Sequence, residues 1–466
     1  MRFLHNLKKK FIGDRQFYLY VCSIAIPMIL QNMVTNFVSL LDNIMVGQIG
    51  TMQMSGVAIA NQFTFVFNIT IFGTVAGAGI FSSQFFGKGD ADGQRYTVRF
   101  RLIICTLLAL IGILVFYFFG DNLIGLYINE EATASEAAAT LGYGRTYLNI
   151  MLISMIPFAI GQVYANILRE CEETRVPMAA SVIAVVMNVI LDYGLIFGNL
   201  GMPELGVAGA AIATVAAKIV EAGIIIIWAH LNTDKIRCIG GLYKGFSIPG
   251  GLSLQMLRKS MPLMLNEFLW SYGMATLTQC YAMRGLDVVA AQNISSTITN
   301  IFGVIYIQLG SSIAIIVGQK LGAGRFEEAK DTDNKLIAFS FLVCLAVCLF
   351  VMLPLASWFP NVYNTEPEIR ALATYMITIN ATAMPMWALT NAFYFTLRSG
   401  GNVMITVAFD SIYTWVILLP ILFVFARFTT VGIHILIIIA TYMEVIKIAI
   451  GLKMVCSNKW MRTIVN

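Results

Sequence analysis

The amino-acid sequence predicts an all-α integral membrane protein whose twelve transmembrane helices form two pseudo-symmetric lobes of six. The composition, a series of apolar windows and an internal repeat support this prediction. Of the 466 residues, 58% are apolar and 12% are charged, and the mean hydropathy is +0.78. A soluble domain carries about 25% charged residues, so the composition excludes an ordinary soluble fold.

Twelve apolar windows follow one another along the chain, each close to the roughly 20 residues that a helix needs to cross the hydrocarbon core. Pro27 lies inside the first window and predicts a bend there, which neighbouring helices of a bundle tolerate. No cleavage site follows the basic N-terminus, so we expect the first helix to be retained. The predicted spans are 18–41, 56–82, 102–119, 141–165, 178–197, 207–230, 261–282, 288–317, 337–359, 371–395, 403–425 and 431–455.

The distribution of basic residues predicts the orientation of the chain in the membrane. With these spans, 24 of the 30 Lys and Arg residues lie in loops or span ends on the side that holds the N-terminus, four lie towards the opposite side, and Lys218 and Lys447 lie deep within spans. Because basic residues accumulate in cytoplasmic loops, both termini are predicted to be cytoplasmic. The net charge of +5 then reflects topology, and we expect no nucleic-acid partner.

An internal repeat relates the two halves of the chain. Residues 23–32 resemble 258–267, and 84–89 resemble 319–324, at an offset of 235; Arg169 matches Arg398 at 229. Six spans per half imply a pseudo-two-fold axis along the membrane normal, which is typical of alternating-access transporters. We therefore predict an amino-terminal lobe (1–231), a cytoplasmic linker (232–258) and a carboxyl-terminal lobe (259–466). The linker's short apolar stretch is predicted to lie on the membrane surface.

Three polar residues of the amino-terminal half lie where a bilayer would surround them: Asp42, Asn188 and Asp192. A carboxylate at this depth costs roughly 2.5 kcal/mol or more, so it usually faces an ion or substrate path. Asn188 and Asp192 share one helix face, and Thr214 lies at a similar depth. These oxygens suit sodium, and a close carboxylate pair could instead hold a proton. The alternative is that Asp42 is solvated and that Asn188 and Asp192 pair for packing. Lys218, the nearest base, lies a turn deeper than Thr214.

A second acidic pair, Glu267 and Asp410, lies in the carboxyl-terminal half. It predicts a secondary site for a cationic substrate or a proton, with Trp270 and Trp387 supplying cation–π surface. The alternative is that the two acids cap or bridge helices. Weaker candidates are Glu221, Glu444 and Lys447, the last two of which are spaced to neutralise one another.

Several other classes of function find no support in the sequence. The eight cysteines form no Cys-x-x-Cys pair and the three histidines are dispersed, which disfavours redox and zinc chemistry. Glycine-rich segments lack the ending of a phosphate loop, so transport would be secondary and no cofactor is expected. A channel is disfavoured because no filter-like sequence is present. An intramembrane enzyme is disfavoured because no nucleophile–base pair or metal cluster is present.

The order of motifs across both halves resembles the multidrug and toxic compound extrusion (MATE) family. The resemblance implies a V-shaped pair of six-helix lobes that exports cationic or amphipathic compounds in exchange for protons or sodium. It also implies a monomer in the bacterial cytoplasmic membrane, a coupling-cation site at Asp42, Asn188, Asp192 and Thr214, and bending of the first helix at Pro27 on ion binding. The matching segments are 41–50, 84–89, 168–169, 188–192, 206–214, 319–324 and 397–401.

Two features leave alternatives open within this resemblance. Another branch of the family uses acids on the seventh and tenth helices, whereas here Glu267 is displaced by about a turn and 371–395 contains no acid. A lipid or polysaccharide-precursor flippase would share the fold. Its cavity would need several basic residues, and the only bases deep within the predicted spans are Lys218 and Lys447.

Overall fold

The computed structural model describes residues 11–127 and 133–465, so the basic residues of the N-terminal ten lie outside it. Within these ranges every regular element is helical. These elements form twelve long helical segments, which is the number that the sequence predicts. They are α1 (Arg15–Ile49), α2 (Thr51–Lys88), α3 (Ala91–Gly125), α4 (Ala134–Glu170), α5 (Arg175–Phe197), α6 (Val207–Leu231), α7 (Gly250–Ala282), α8 (Leu286–Gly322), α9 (Phe326–Val362), α10 (Pro367–Ser399), α11 (Val403–Phe428) and α12 (Ile433–Cys456).

Ten helices of the described residues are long and apolar enough to cross a membrane. The other two, α7 and α10, have 33 residues each and reach about 50 Å at 1.5 Å per residue. The predicted windows coincide with these helices, and all but the twelfth are shorter than the helix they predict. The apolar pattern stops where polar side chains begin, and the backbone remains helical beyond that point. The chain is therefore a multi-pass membrane protein.

Prolines interrupt the hydrogen bonding of several helices. Pro27, Pro157, Pro262 and Pro385 lie inside α-helical segments. In α11 a π-helical segment, Ala408–Leu418, leads directly into the turn that contains Pro420. Proline donates no backbone hydrogen bond and clashes with the preceding turn, and a π-helical widening accommodates that clash. The widened segment carries Asp410.

The described residues fall into two compact units. The first, here called the carboxyl unit, comprises Met1–Ile29, Ser83–Asp90 and Leu265–Asn466; the second, the amino unit, comprises Leu30–Ser82 and Ala91–Met264. These units differ from the predicted lobes in α1, at the end of α2 and in the linker. The lobes were defined by the repeat and the units by proximity in one conformation, so the lobe boundaries stay a prediction.

The linker packs into the amino unit. Ile236, Ile239 and Leu242 are 2%, 1% and 1% exposed and belong to that unit's hydrophobic core. Arg95 and Arg99 of α3 donate hydrogen bonds to linker carbonyls at 3.2 and 2.9 Å. The linker therefore packs on the helices of this unit, and its position at the membrane surface stays a prediction. A series of tight turns directs the apolar side chains inward, and the two arginines satisfy the exposed backbone.

Both offsets of the predicted repeat recur in the structure. Within the carboxyl unit, a Cβ on Gly87 would overlap the carbonyl oxygen of Gln319, and a Cβ on Gly322 would overlap that of Gln84. Gly322 lies 235 residues after Gly87, and Gln319 lies 235 residues after Gln84. The contact is therefore reciprocal, as at a two-fold axis. Residues 172 and 401, which are 229 apart, both have left-handed backbones, with φ of 65° and 73°.

Candidate cation-binding site

The structure brings the polar residues of the amino unit together. Asp42 comes from α1, whereas Asn188 and Asp192 come from successive turns of α5. The Asp42 and Asp192 carboxylates face each other within hydrogen-bonding range, and Asn188 lies beside Asp192. Asp192 is 1% exposed and Asn188 is 4% exposed. Two acids from different helices therefore meet at one site, in which Asp192 is buried and Asp42 is half-buried.

The negative charge of this pair is not compensated. Asp42 Oδ1, both oxygens of Asp192 and the amide nitrogen of Asn188 are buried and have no hydrogen-bond partner among the described residues. The Asn188 amide is thus close to Asp192 but not aligned with it. Neither acid forms an ion pair with a described Lys, Arg or His. Two facing carboxylates in a low dielectric repel one another unless they take up a cation or share a proton.

A tyrosine completes the site from α4. Tyr147 is 5% exposed, and its hydroxyl contacts the side chains of Thr214 and Asn61 and lies close to both acids. The Thr214 hydroxyl donates to the Ala210 carbonyl at 3.0 Å, which leaves its oxygen lone pairs available to the site. The sequence reasoning missed Tyr147 and Asn61. Neither residue type is rare in a membrane helix, so only the packing of five helices reveals them.

The oxygen atoms of this site suit a small hard cation. Three carboxylate oxygens lack partners, and the Asn188 carbonyl and the Thr214 hydroxyl add two neutral oxygens. Sodium is bound by such oxygen ligands, so the four predicted residues would hold it, and the carboxylate pair alone would hold a proton. The described residues contain no group of three or more His, Cys, Asp or Glu side chains arranged for a metal.

The acids of the carboxyl unit are arranged differently. Lys447 Nζ lies 2.7 Å from Asp410 and 3.8 Å from Glu444, and the Asn266 amide donates to Asp410 at 3.2 Å. Asp410 therefore bridges α7, α11 and α12, which is the alternative that the sequence left open. This ion pair neutralises the charge that was predicted to attract a cationic substrate.

Glu267 and Trp270 lie on the same helix, α7, but have different surroundings. The Tyr394 hydroxyl lies 3.5 Å from Glu267 Oε1, and the Arg398 guanidinium exerts a favourable charge interaction on this acid. Trp270 is 42% exposed. A secondary substrate or proton site at these residues remains a prediction.

The fold and this site define a class of protein: a multi-pass membrane transporter with two repeated halves and a pair of facing acids that no described basic residue neutralises. The family model MatE matches residues 27–194 and 262–424. The two matches begin at repeat-related positions. The chain belongs to the MatE family, the MATE transporters, as the sequence motifs predict.

Known proteins similar to this chain cover almost its whole length. A probable multidrug resistance protein NorM from Thermotoga maritima is 23% identical over 417 residues, which is 88% of this chain and 86% of that protein. A MATE structure in a bent conformation has a TM-score of 0.83 at 19% identity, covering 96% of this chain and 97% of that chain. A MOP-superfamily transporter from Pyrococcus furiosus has a TM-score of 0.80 at 19% identity, covering 97% and 98%. At these identities the structures show the shared fold alone.

Proposed function

We propose that this chain exports cationic or amphipathic small molecules in exchange for protons or sodium, by alternating access. The observation that carries the proposal is the uncompensated Asp42–Asp192 pair, which is stable in a membrane interior only when a cation neutralises part of its charge. The multidrug-resistance designation of the NorM relative supports the class of substrate. The predicted orientation places both termini in the cytoplasm of a bacterial cell, with the monomer as the working unit.

Cation binding at this pair would change the relation between two helices. Asp42 lies on α1 beyond Pro27, and Asp192 lies on α5, so repulsion between the carboxylates opposes close packing of these helices. A bound proton or sodium removes that repulsion, and bending at Pro27 would let the outer part of α1 follow. A cation shifts a conformational equilibrium only by its difference in affinity between the two states. The energy of the ion gradient would drive export through that difference.

The flippase alternative is less well supported. Phosphate-bearing substrates need basic side chains that are available to bind them. Lys447 is neutralised by Asp410, and the negative charge of Glu221 attracts Lys218. Neither lysine is therefore free to bind a phosphate group. The Pyrococcus furiosus transporter is described as having a binding pocket of reversed polarity that suggests a different function. Proteins that share this fold can therefore differ in substrate, and the charges of the binding site determine which substrate is bound.

The test is export of a fluorescent cation such as ethidium from proteoliposomes, with a pH gradient and a sodium gradient imposed separately. We expect Asp42→Asn and Asp192→Asn to lose gradient-driven export by at least ten-fold. Glu368→Gln, which changes an exposed acid at the start of α10, is the matched control. If Asp192→Asn exports ethidium at the wild-type rate, the coupling site is wrongly assigned. If neither gradient drives ethidium export by the wild type, and the wild type moves labelled phospholipid, the flippase alternative is correct.

A further inference from the structure

A second polar chain lies deeper in the amino unit and links four helices. Arg169 of α4 donates to Oε1 of Gln31 on α1 at 2.7 Å. Gln31 donates through its amide nitrogen to the Ser181 hydroxyl on α5 at 2.6 Å, and Ser181 donates to Oε1 of Glu221 on α6. A guanidinium only donates and a carboxylate only accepts, so the direction of all three bonds is fixed. The chain occupies one oxygen of Glu221 and leaves Oε2 to receive a proton.

A small cavity lies next to Glu221. Its volume of about 10 Å³ is close to the space that one water molecule needs. Glu221, Lys218 and Gln162 are among its lining residues, and Gln162 Oε1 is a buried acceptor with no partner among the described residues. The Lys218 ammonium lies 4.4 Å from the centre of the Phe158 ring and is attracted by Glu221. An acid, a base and an unpaired acceptor thus surround room for one water.

The repeat supplies a natural comparison for this arrangement. In the carboxyl unit the acid stands at the position that matches Ser181, and this acid, Asp410, lies 2.7 Å from Lys447. In the amino unit the acid is Glu221 of α6. Among the described residues it forms no ion pair with Lys218. One half therefore holds a closed ion pair, and the other holds a separated pair beside a cavity. The matched positions, at the offsets of 235 and 229, are Gln31 with Asn266, Ser181 with Asp410, Lys218 with Lys447 and Arg169 with Arg398.

We propose that Glu221 is an inner proton station, which receives the proton that leaves the Asp42–Asp192 pair, and that Lys218 makes this step selective for protons over sodium. The inference rests on the proposed role of that pair as the coupling site. In the step, an O–H bond of an aspartic acid breaks, water carries the proton, and an O–H bond forms at Glu221 Oε2. Thr214, at the outer site, and Glu221 are separated along α6 by about 10 Å at 1.5 Å per residue.

The charges around Glu221 explain the selectivity. Lys218 faces it from its own helix, and Arg169 of α4 acts on it through the hydrogen-bonded chain. Glu170, the acid next to Arg169, is paired with Arg101. A sodium ion in the cavity would meet the Lys218 ammonium at close range, and like charges in a low dielectric repel strongly. A proton adds the same unit of charge, but it forms an O–H bond on the Glu221 carboxylate, whereas sodium needs several oxygen ligands in a cavity with room for about one water.

The test separates proton coupling from substrate handling. Proteoliposomes would carry the wild type, Glu221→Gln, Asp192→Asn or the control Glu368→Gln. Three quantities would be measured: export of ethidium driven by a pH gradient, ethidium exchange at equal pH on both sides, and proton release when ethidium binds in detergent. We expect Glu221→Gln to lose pH-driven export by at least ten-fold, while exchange stays within two-fold of wild type. Substrate-induced proton release should persist in Glu221→Gln and be lost in Asp192→Asn.

Each other outcome overturns one part of the reasoning. Wild-type pH-driven export by Glu221→Gln, with Asp192→Asn inactive, would refute the inner station and leave the proposed function intact. Normal pH-driven export by Asp192→Asn would refute the assignment of the coupling site on which this inference rests. A sodium gradient that drives wild-type export as fast as a pH gradient would refute the role of Lys218. If Glu221→Gln does not fold, Glu221→Asp replaces it, with slowed pH-driven export supporting the station and unchanged export refuting it.

Discussion

The buried ion pair between Arg101 and Glu170 gives a prediction whose magnitude follows from its geometry. The guanidinium of α3 binds the carboxylate of α4 through two hydrogen bonds of 3.0 and 2.8 Å, and the Arg101 side chain is fully buried. Glu170→Leu would leave that guanidinium without its counter-charge. Breaking a buried pair in this way costs about 3–5 kcal/mol. At roughly 2 °C per kcal/mol for chains of this size, we expect the melting midpoint to fall by about 6–10 °C.

The assay is the loss of the monodisperse peak on heating in detergent, followed by fluorescence-detected size exclusion. The double variant Arg101→Met with Glu170→Leu removes both charges and should recover most of the loss, because apolar replacements of a buried pair are often neutral. Asp331→Asn breaks the exposed pair with Lys335 and should change the midpoint by 2 °C or less, since surface pairs contribute about 0–1 kcal/mol. If Glu170→Leu melts within 2 °C of wild type, the Arg101 guanidinium is not confined as the structure shows.

Two further predictions test the cation site and the repeat contact. Tyr147→Phe removes one hydroxyl from the site and should weaken cation binding by about 1 kcal/mol. The concentration of coupling cation that half-saturates export should therefore rise about five-fold. The control Tyr143→Phe, at a more exposed position of the same helix, should leave this concentration unchanged. Gly322→Ala places a methyl group against the carbonyl of Gln84 and should destabilise by about 1–3 kcal/mol, whereas Gly125→Ala meets no atom within 4 Å and should not lower the midpoint.

The sequence predicted those parts of the protein that depend on rare residues or on long periodic patterns. An acid inside an apolar run is conspicuous, so Asp42 and Asp192 could be found without a structure. Tyr147 carries no such signal, because a tyrosine in a membrane helix has many structural uses. The sequence also carries no signal that the first part of α1 packs with the carboxyl unit. Val21, Ile24 and Met28 pack into that unit's core, and such contacts depend on tertiary packing, which hydropathy does not encode.

Glu221 shows how a repeat can conceal a functional difference. From the sequence, Glu221 and Lys218 resemble any acid and base three residues apart on a helix, which would neutralise one another. The structure instead ties Glu221 to Arg169 through Gln31 and Ser181 and separates it from its lysine. The carboxyl unit keeps the acid at Asp410 and closes the pair. The repeat therefore keeps the lysine at matched positions, Lys218 and Lys447, whereas the acid near each lysine occupies a different position in each half.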